Sequence, residues 1–176
     1  MKLKNGKMLQ IRQAIKEDAE EIIEYLNLIG GESDHLLFGS NEFHMSVEEE
    51  EEFITKLANV DTSALFVGRI DDEVVCIGSV LSRQQKRIAH QAELAICVRK
   101  KYWGLGIGKH LMQCMIEFSK KNGQTEILHL GVKEDNVAAI TLYKKMGFVE
   151  IGRYKNFFKI QGKYWDEILM NLYLKS

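Results

Sequence analysis

The chain has 176 residues, enough for one domain with a proper core, and its 45% hydrophobic and 28% charged content is that of an ordinary globular protein. A net charge of −1 with interspersed signs gives no mark of a general nucleic-acid binder. No apolar run approaches the roughly 20 residues of a membrane span, and the basic start MKLKNGKMLQIR has no apolar signal core behind it.

Cys76, Cys97 and Cys114 form neither a CxxC pair nor an even disulfide framework, so buried thiols in a cytoplasmic protein are expected. Proline is absent, which leaves the turns to Gly, Asn and Asp. Residues 8–14 (MLQIRQA) alternate as a first strand. Over residues 17–29, Ala19, Ile22, Ile23, Leu26 and Ile29 repeat at helical spacing, and Gly30-Gly31 marks the stop. Residues 32–45 have no clear period; Leu36, Leu37, Phe38 and Phe43 among polar residues suit a packed surface loop or a pocket wall. Ser46 with Glu49 three positions on is a capping-box pattern, and the acidic run 48–52 loads the positive end of a second helix.

Ala64–Ile70 and residues 73–81 read as strands about the Asp71-Asp72 turn, followed by a long strand over 88–98. A helix over 109–122, with Leu111, Met112, Met115 and Ile116 on one side, ends at Gly123. A strand over 127–132 follows, and the crossover makes it parallel to 88–98. A helix over 136–146 stops at Gly147, and strands over 148–160 and 163–174 turn at Gln161-Gly162. The order β-α-α-β-β-β-α-β-α-β-β, with no repeat or linker, predicts one α+β domain over residues 1–176.

The stretch 99–112, RKKYWGLGIGKHLM, lies between the apolar strand and a helix, with Gly104, Gly106 and Gly108 alternating. Glycines let successive N–H groups converge, and a helix start adds unpaired donors, which together make a phosphate cradle. A Walker loop fails twice, because Trp103 stands where glycine is needed and His110 where a hydroxyl is needed. A dinucleotide fingerprint fails because the third glycine comes one residue early and antiparallel strands precede it. Downstream, Asn136 and Tyr143 are seven apart on one predicted helix, about 10 Å along one face, with Ala139 between them. That face suits a long thin ligand; equally, Asn136 is a helix cap and Tyr143 a core residue.

Together, GLGIG after the apolar strand and NVAAITLYKKMGF closely resemble the coenzyme-binding motifs of the GNAT superfamily of acetyl-CoA-dependent N-acetyltransferases. The resemblance implies the GNAT fold: a central mixed, mostly antiparallel twisted sheet of about seven strands with about four helices and a splayed parallel pair. It implies acetyl-CoA as co-substrate, without a metal. It places the pantetheine arm along Ile96, Cys97 and Val98, and the pyrophosphate on Trp103, Gly104, Leu105, Gly106, Ile107, Gly108 and Lys109. Asn136, Ala139 and Tyr143 would contact the coenzyme from the second motif. Where the family pattern has Arg or Gln, this chain has Trp103, so binding is expected to rest on main-chain N–H groups from Trp103 to Lys109.

Direct attack of an amine on the thioester then needs a polarised carbonyl, a base and an acid. The resemblance makes Tyr143 the acid that protonates the thiolate. Glu93, the one acid in the central apolar run, is the candidate base, with its pKa raised by partial burial; His90 is a weaker alternative. Cys97 as an acyl carrier is not needed by direct transfer. Glu32, Phe38, Glu42, Phe43 and Tyr154 are the candidate acceptor-pocket residues. The expected function is N-acetylation of a small-molecule primary amine, such as a polyamine or amino acid. The alternatives are a protein N-terminal acetyltransferase and a silent acetyl-CoA sensor. The expected partners are acetyl-CoA and an amine, without nucleic acid or membrane; many members of the family pair, so a homodimer is also an expectation.

Overall fold

The structure, a computed structural model, describes residues 1–174. Seven strands form one sheet: β1 (Gln10–Gln13), β2 (Ala64–Ile70), β3 (Glu73–Ser82), β4 (Gln91–Val98), β5 (Ile127–Lys133), β6 (Val149–Ile160) and β7 (Lys163–Tyr173). Their spatial order is β1-β2-β3-β4-β5-β7-β6, and every neighbouring pair is antiparallel except β4 and β5. Four helices, α1 (Ala19–Ile29), α2 (Val47–Ala58), α3 (Ile107–Lys121) and α4 (Val137–Lys145), complete the α+β architecture expected from the sequence.

Alternation along the strands sends side chains into two cores. Ala92 and Leu94 of β4 and Leu128, Leu130 and Val132 of β5 pack with Leu111, Met112, Met115 and Ile116 of α3 and with Tyr143 of α4. On the opposite face, Leu65 and Val67 of β2 and Ile77 of β3 pack with Ile22, Tyr25 and Ile29 of α1 and Ile54 of α2. Central strands buried on both sides explain the near-continuous apolar runs ALFVGRI and EVVCIGSVL.

Several element ends shift by one to three residues from the sequence reading, and three changes stand out. The strand expected from residue 88 starts at Gln91, because Ile88 and Gln91 spend their N–H groups on turn bonds to Gln85 and Ile88. A 3₁₀ turn, Lys16–Asp18, precedes α1. Helix α3 begins two residues earlier than expected, at Ile107, because Gly106 in the left-handed region (φ 88°) serves as its N-cap. The Ser46 capping box is present: Ser46 Oγ accepts from the Glu49 N–H and Glu49 Oε2 from the Ser46 N–H.

Buried Asp18 ties the first helical turn to the edge of the sheet. Burial alone would raise its pKa. Two hydrogen bonds from Arg12 (2.6 and 2.7 Å), one from the Ile15 N–H and one from Arg69 instead hold it down, from 3.8 to about 2. A depressed folded-state pKa stabilises the protein above the unfolded value and is lost as pH falls through the folded one. Asp18→Asn is therefore expected to cost about 2 kcal/mol near pH 7. The deficit should fade as pH falls from about 4 toward 2, as read by thermal melts across that range.

Candidate functional site

The site is organised by the only parallel junction in the sheet among the described residues. Strands β4 and β5 pair at Gln91↔Ile127, Ala92↔Leu128 and Glu93↔His129, and then separate. The hydrogen-bond phase fixes what faces the gap. Arg99 N–H donates to Val75 O and Arg83 N–H to Gln91 O, so odd-numbered residues of β4 are bonded to β3. The main-chain groups of Ile96 and Val98 therefore point into the split. Across it, Leu174 N–H donates to Glu126 O and Glu134 N–H to Asp166 O. Even-numbered residues of β5 accordingly bond to β7, and Gly131 and Lys133 face β4.

The glycine turn lies at the exit of β4. Gly104 (φ 77°) and Gly106 (φ 88°) are left-handed, and a Cβ at either would project into open space rather than into protein. The first bond of α3 runs from the His110 N–H to Gly106 O, leaving the amides of Ile107, Gly108 and Lys109 without helical partners. An open concavity lined by such donors fits the pyrophosphate of acetyl-CoA. One expected donor is missing: the Trp103 N–H is spent on Lys100 O, so the cradle begins at Gly104. The Trp103 indole is half exposed, and its Nε1–H clasps Val98 O at 2.7 Å. Gly108 brings α3 against Leu142 of α4 and Ile96 and Val98 of β4, where a Cβ would lie 3.3 to 3.9 Å from all three. Leu105 and Ile107 pack into the core below, and Lys109 is exposed.

Asn136 is the N-cap of α4, its Oδ1 accepting from the Ala139 N–H at 3.2 Å. The cap consumes the amide oxygen and leaves Nδ2 as the group able to meet a ligand. Ala139 lies on the partly buried side of the helix. Tyr143 is buried with its ring 6.0 Å from that of Phe148, and its hydroxyl has no hydrogen-bond partner among the described residues. Burial pushes the phenol above its ordinary value, with Cys97 adding to the effect, so it holds its proton until a strong base arrives. The Cys97 thiol is also pushed up, to about 11, by burial, and donates weakly to Ile77 O. It stays protonated at neutral pH and is a poor nucleophile.

At the mouth of the split, between residues 31–35 and the β6–β7 turn, lies a cavity of about 530 Å³. Glu32, Asp34, His35, Lys133, Asp135 and Trp165 are among its lining residues. Of the expected acceptor residues, only Glu32 lines it. Its carboxylate accepts from Arg99 Nε and from the Lys100 N–H, both at 2.6 Å, so it fastens the loop after α1 to the end of β4. Glu42 closes its own turn by accepting from the Gly39 N–H, and Phe38 and Phe43 pack on each other at 6.1 Å. Tyr154 is 60% exposed on the edge strand, stacked against Phe157 and opposite Glu167.

Glu93 is exposed, not partly buried as expected, and lies 3.5 Å from Arg83. Its side chain is on the face opposite α3, because its neighbours Ala92 and Leu94 fill the α3 core. His90 lies ahead of β4 and accepts backbone bonds from Glu126 and Ile127. The face that carries Glu93 also carries His129 and Gly131 of β5 and Glu167 and Asn171 of β7. Sequence reasoning passed over Glu167, a charge in a late strand; its only signal was its place immediately before the core pair Ile168 and Met170. Among the described residues no three His, Cys, Asp or Glu side chains gather as a metal site, and no helix is long and apolar enough to cross a membrane.

A profile of the acetyltransferase (GNAT) family matches residues 33–148, which hold both the glycine turn and α4. The chain belongs to the GNAT acetyltransferase family. It is 30% identical over 158 residues to an N-alpha-acetyltransferase of Sulfurisphaera tokodaii, covering 84% of each chain. It is 34% identical over 104 residues to the L-amino acid N-acetyltransferase AaaT of Escherichia coli, covering 59% of this chain and 64% of that one. The crystal structure of a GNAT-family acetyltransferase from Streptococcus pneumoniae superposes with a TM-score of 0.92 at 32% identity, covering 94% of this chain and 99% of the other. The GNAT fold expected from the two motifs, with its seven strands, four helices and parallel pair, is the fold observed. The protein is an acetyl-CoA-dependent N-acetyltransferase.

Proposed function

We propose that this GNAT enzyme acetylates the primary amine of a small molecule. The observation that carries the reading is the cavity of about 530 Å³ at the mouth of the β4–β5 split. Its size is that of a small-molecule site, and the loop at 31–35 and the β6–β7 turn wall it on two sides. Asp34, which makes no ion pair among the described residues, supplies a carboxylate to a cationic acceptor, beside Asp135, whose carboxylate is already held by Lys133. The relatives divide between an N-alpha-acetyltransferase and an L-amino acid N-acetyltransferase, and the cavity favours the small amine.

In this reading the coenzyme supplies an activated acetyl thioester, and the chain supplies placement and protons. Gly104–Lys109 amides hold the pyrophosphate, and an Ile96 or Val98 N–H in the split polarises the thioester carbonyl. A free aliphatic amine has a pKa of about 10.4, so a carboxylate must take its proton near pH 7. Tyr143 then gives its phenol proton to the departing sulfur.

Free-thiol release from acetyl-CoA across a panel of polyamines, amino acids, amino sugars and short peptides tests the reading. Turnover is expected on one small-amine class and weakly or not at all on peptides. Preference for peptide N-termini would establish the protein-modifying reading instead, and tight acetyl-CoA binding without turnover would establish a sensor.

A further inference from the structure

We propose that Glu167 of β7, rather than Glu93, is the carboxylate that takes the proton from the acceptor ammonium. The inference rests on acetyl transfer taking place at that split.

Gly131 is exposed, and its main chain faces the gap where β4 and β5 part. A Cβ on Gly131 would fall inside the Glu167 carboxyl, so the missing side chain is what lets that carboxyl lie flat over β5 at the split. Glu167 is half buried there and makes no ion pair or side-chain hydrogen bond among the described residues. Lys133, its cross-strand neighbour on β5, turns its amine to Asp135 and to the Trp165 ring, 3.8 Å from the centroid, and leaves Glu167 unneutralised. Glu93 is exposed and held by Arg83, as a solvated surface acid is.

The surroundings favour a proton on Glu167 more than on an ordinary glutamate. Burial raises its pKa first and the charge of Glu93 second. The other titratable and charged groups on this face are Cys97 from β4, His129 and Lys133 from β5, Tyr154 from β6, Tyr173 from β7, and Arg83 beyond β3. His129 is biased toward its neutral form by burial, which outweighs the opposing effect of Glu93, so it adds little positive charge to oppose the shift. A carboxylate with raised proton affinity and no cation of its own is suited to receive an ammonium and remove its proton.

The protons balance. The ammonium loses one proton to Glu167, and the neutral nitrogen bonds to the acetyl carbonyl carbon. The carbon–sulfur bond breaks, and Tyr143 protonates the sulfur. The second nitrogen proton returns to the phenolate through solvent, and Glu167 releases its proton to solvent. The net change is ammonium plus thioester to amide, thiol and one proton.

Two measurements test this on the intact protein. Carbon NMR of glutamate-labelled protein, with the Glu167 resonance assigned by its loss in Glu167→Gln, follows the carboxyl titration directly. Glu167 is expected to titrate above the ordinary glutamate range and to shift down in Glu93→Gln; an ordinary titration indifferent to Glu93 overturns the proposal. Kinetics use the small amine with the highest turnover. Glu167→Gln is expected to lose about 100-fold in kcat/KM near pH 7 with acetyl-CoA affinity unchanged, and to regain activity tenfold per pH unit as the free amine accumulates. Glu93→Gln is expected to lose less and to move the acid limb of the pH profile to lower pH. Gly131→Ala, whose methyl displaces the carboxyl, is expected to resemble Glu167→Gln. A Glu167→Gln enzyme within threefold of wild type, or one with a large loss that pH does not relieve, contradicts the assignment.

Discussion

Tyr143→Phe is expected to lower turnover by about 100-fold or more while leaving acetyl-CoA affinity and the melting temperature nearly unchanged. The ring packs against Phe148 inside the core, and phenylalanine preserves that packing. Among the described residues nothing pairs with the hydroxyl, so removing it leaves no donor or acceptor stranded there. On the proposed mechanism, what disappears is the phenol that burial keeps protonated, and with it the proton for the departing sulfur. Steady-state kinetics beside an acetyl-CoA titration check the split between kcat and affinity. Unchanged turnover would remove Tyr143 from the chemistry and leave it a core residue.

The second large effect belongs to the glycine turn. Gly106→Val should weaken acetyl-CoA binding more than tenfold, whereas Trp103→Ala should change it by no more than about threefold. Gly106 sits at φ 88°, where an L-residue costs about 1–2 kcal/mol and a β-branched one more. The chain relieves that strain by leaving the left-handed region, which turns the amides at the start of α3 away from the ligand. Trp103 gives no main-chain N–H to the cradle, and its indole serves Val98 O. Its loss frees a carbonyl at the rim of the split without moving the donors. Calorimetric titration of acetyl-CoA into both variants compares them, and equal losses would count against a cradle built on backbone donors.

The features legible in the sequence were those written in local spacing. The glycines at 104, 106 and 108, the helix phase of Leu111, Met112, Met115 and Ile116, and the Ser46–Glu49 cap each depend on a few neighbouring residues. The crossover between the parallel strands followed from the same local reading, whereas the split between them came from the family resemblance. The acceptor side was not legible, because its partners are far apart in the chain. Glu32 reads as a free loop carboxylate until Arg99, 67 residues on, is placed against it. Glu93 reads as a buried strand acid because its flanking residues are apolar, yet alternation turns it away from their core. Glu167 acquires its meaning only from Gly131, its diagonal neighbour across the β5–β7 pairing and 36 positions earlier in the chain. Asn136 reads equally as a cap and as a ligand anchor in the sequence, and the structure shows the cap in place.

Competition for one acetyl donor tests the central claim most directly. The enzyme is incubated with limiting acetyl-CoA and an equimolar mixture of small primary amines and peptides with free N-termini, and mass spectrometry reads where the acetyl group arrives. Acetylated small amine, abolished in Tyr143→Phe, is the expected result. Acetyl groups found on peptide N-termini, with the small amines left unmodified, would contradict it.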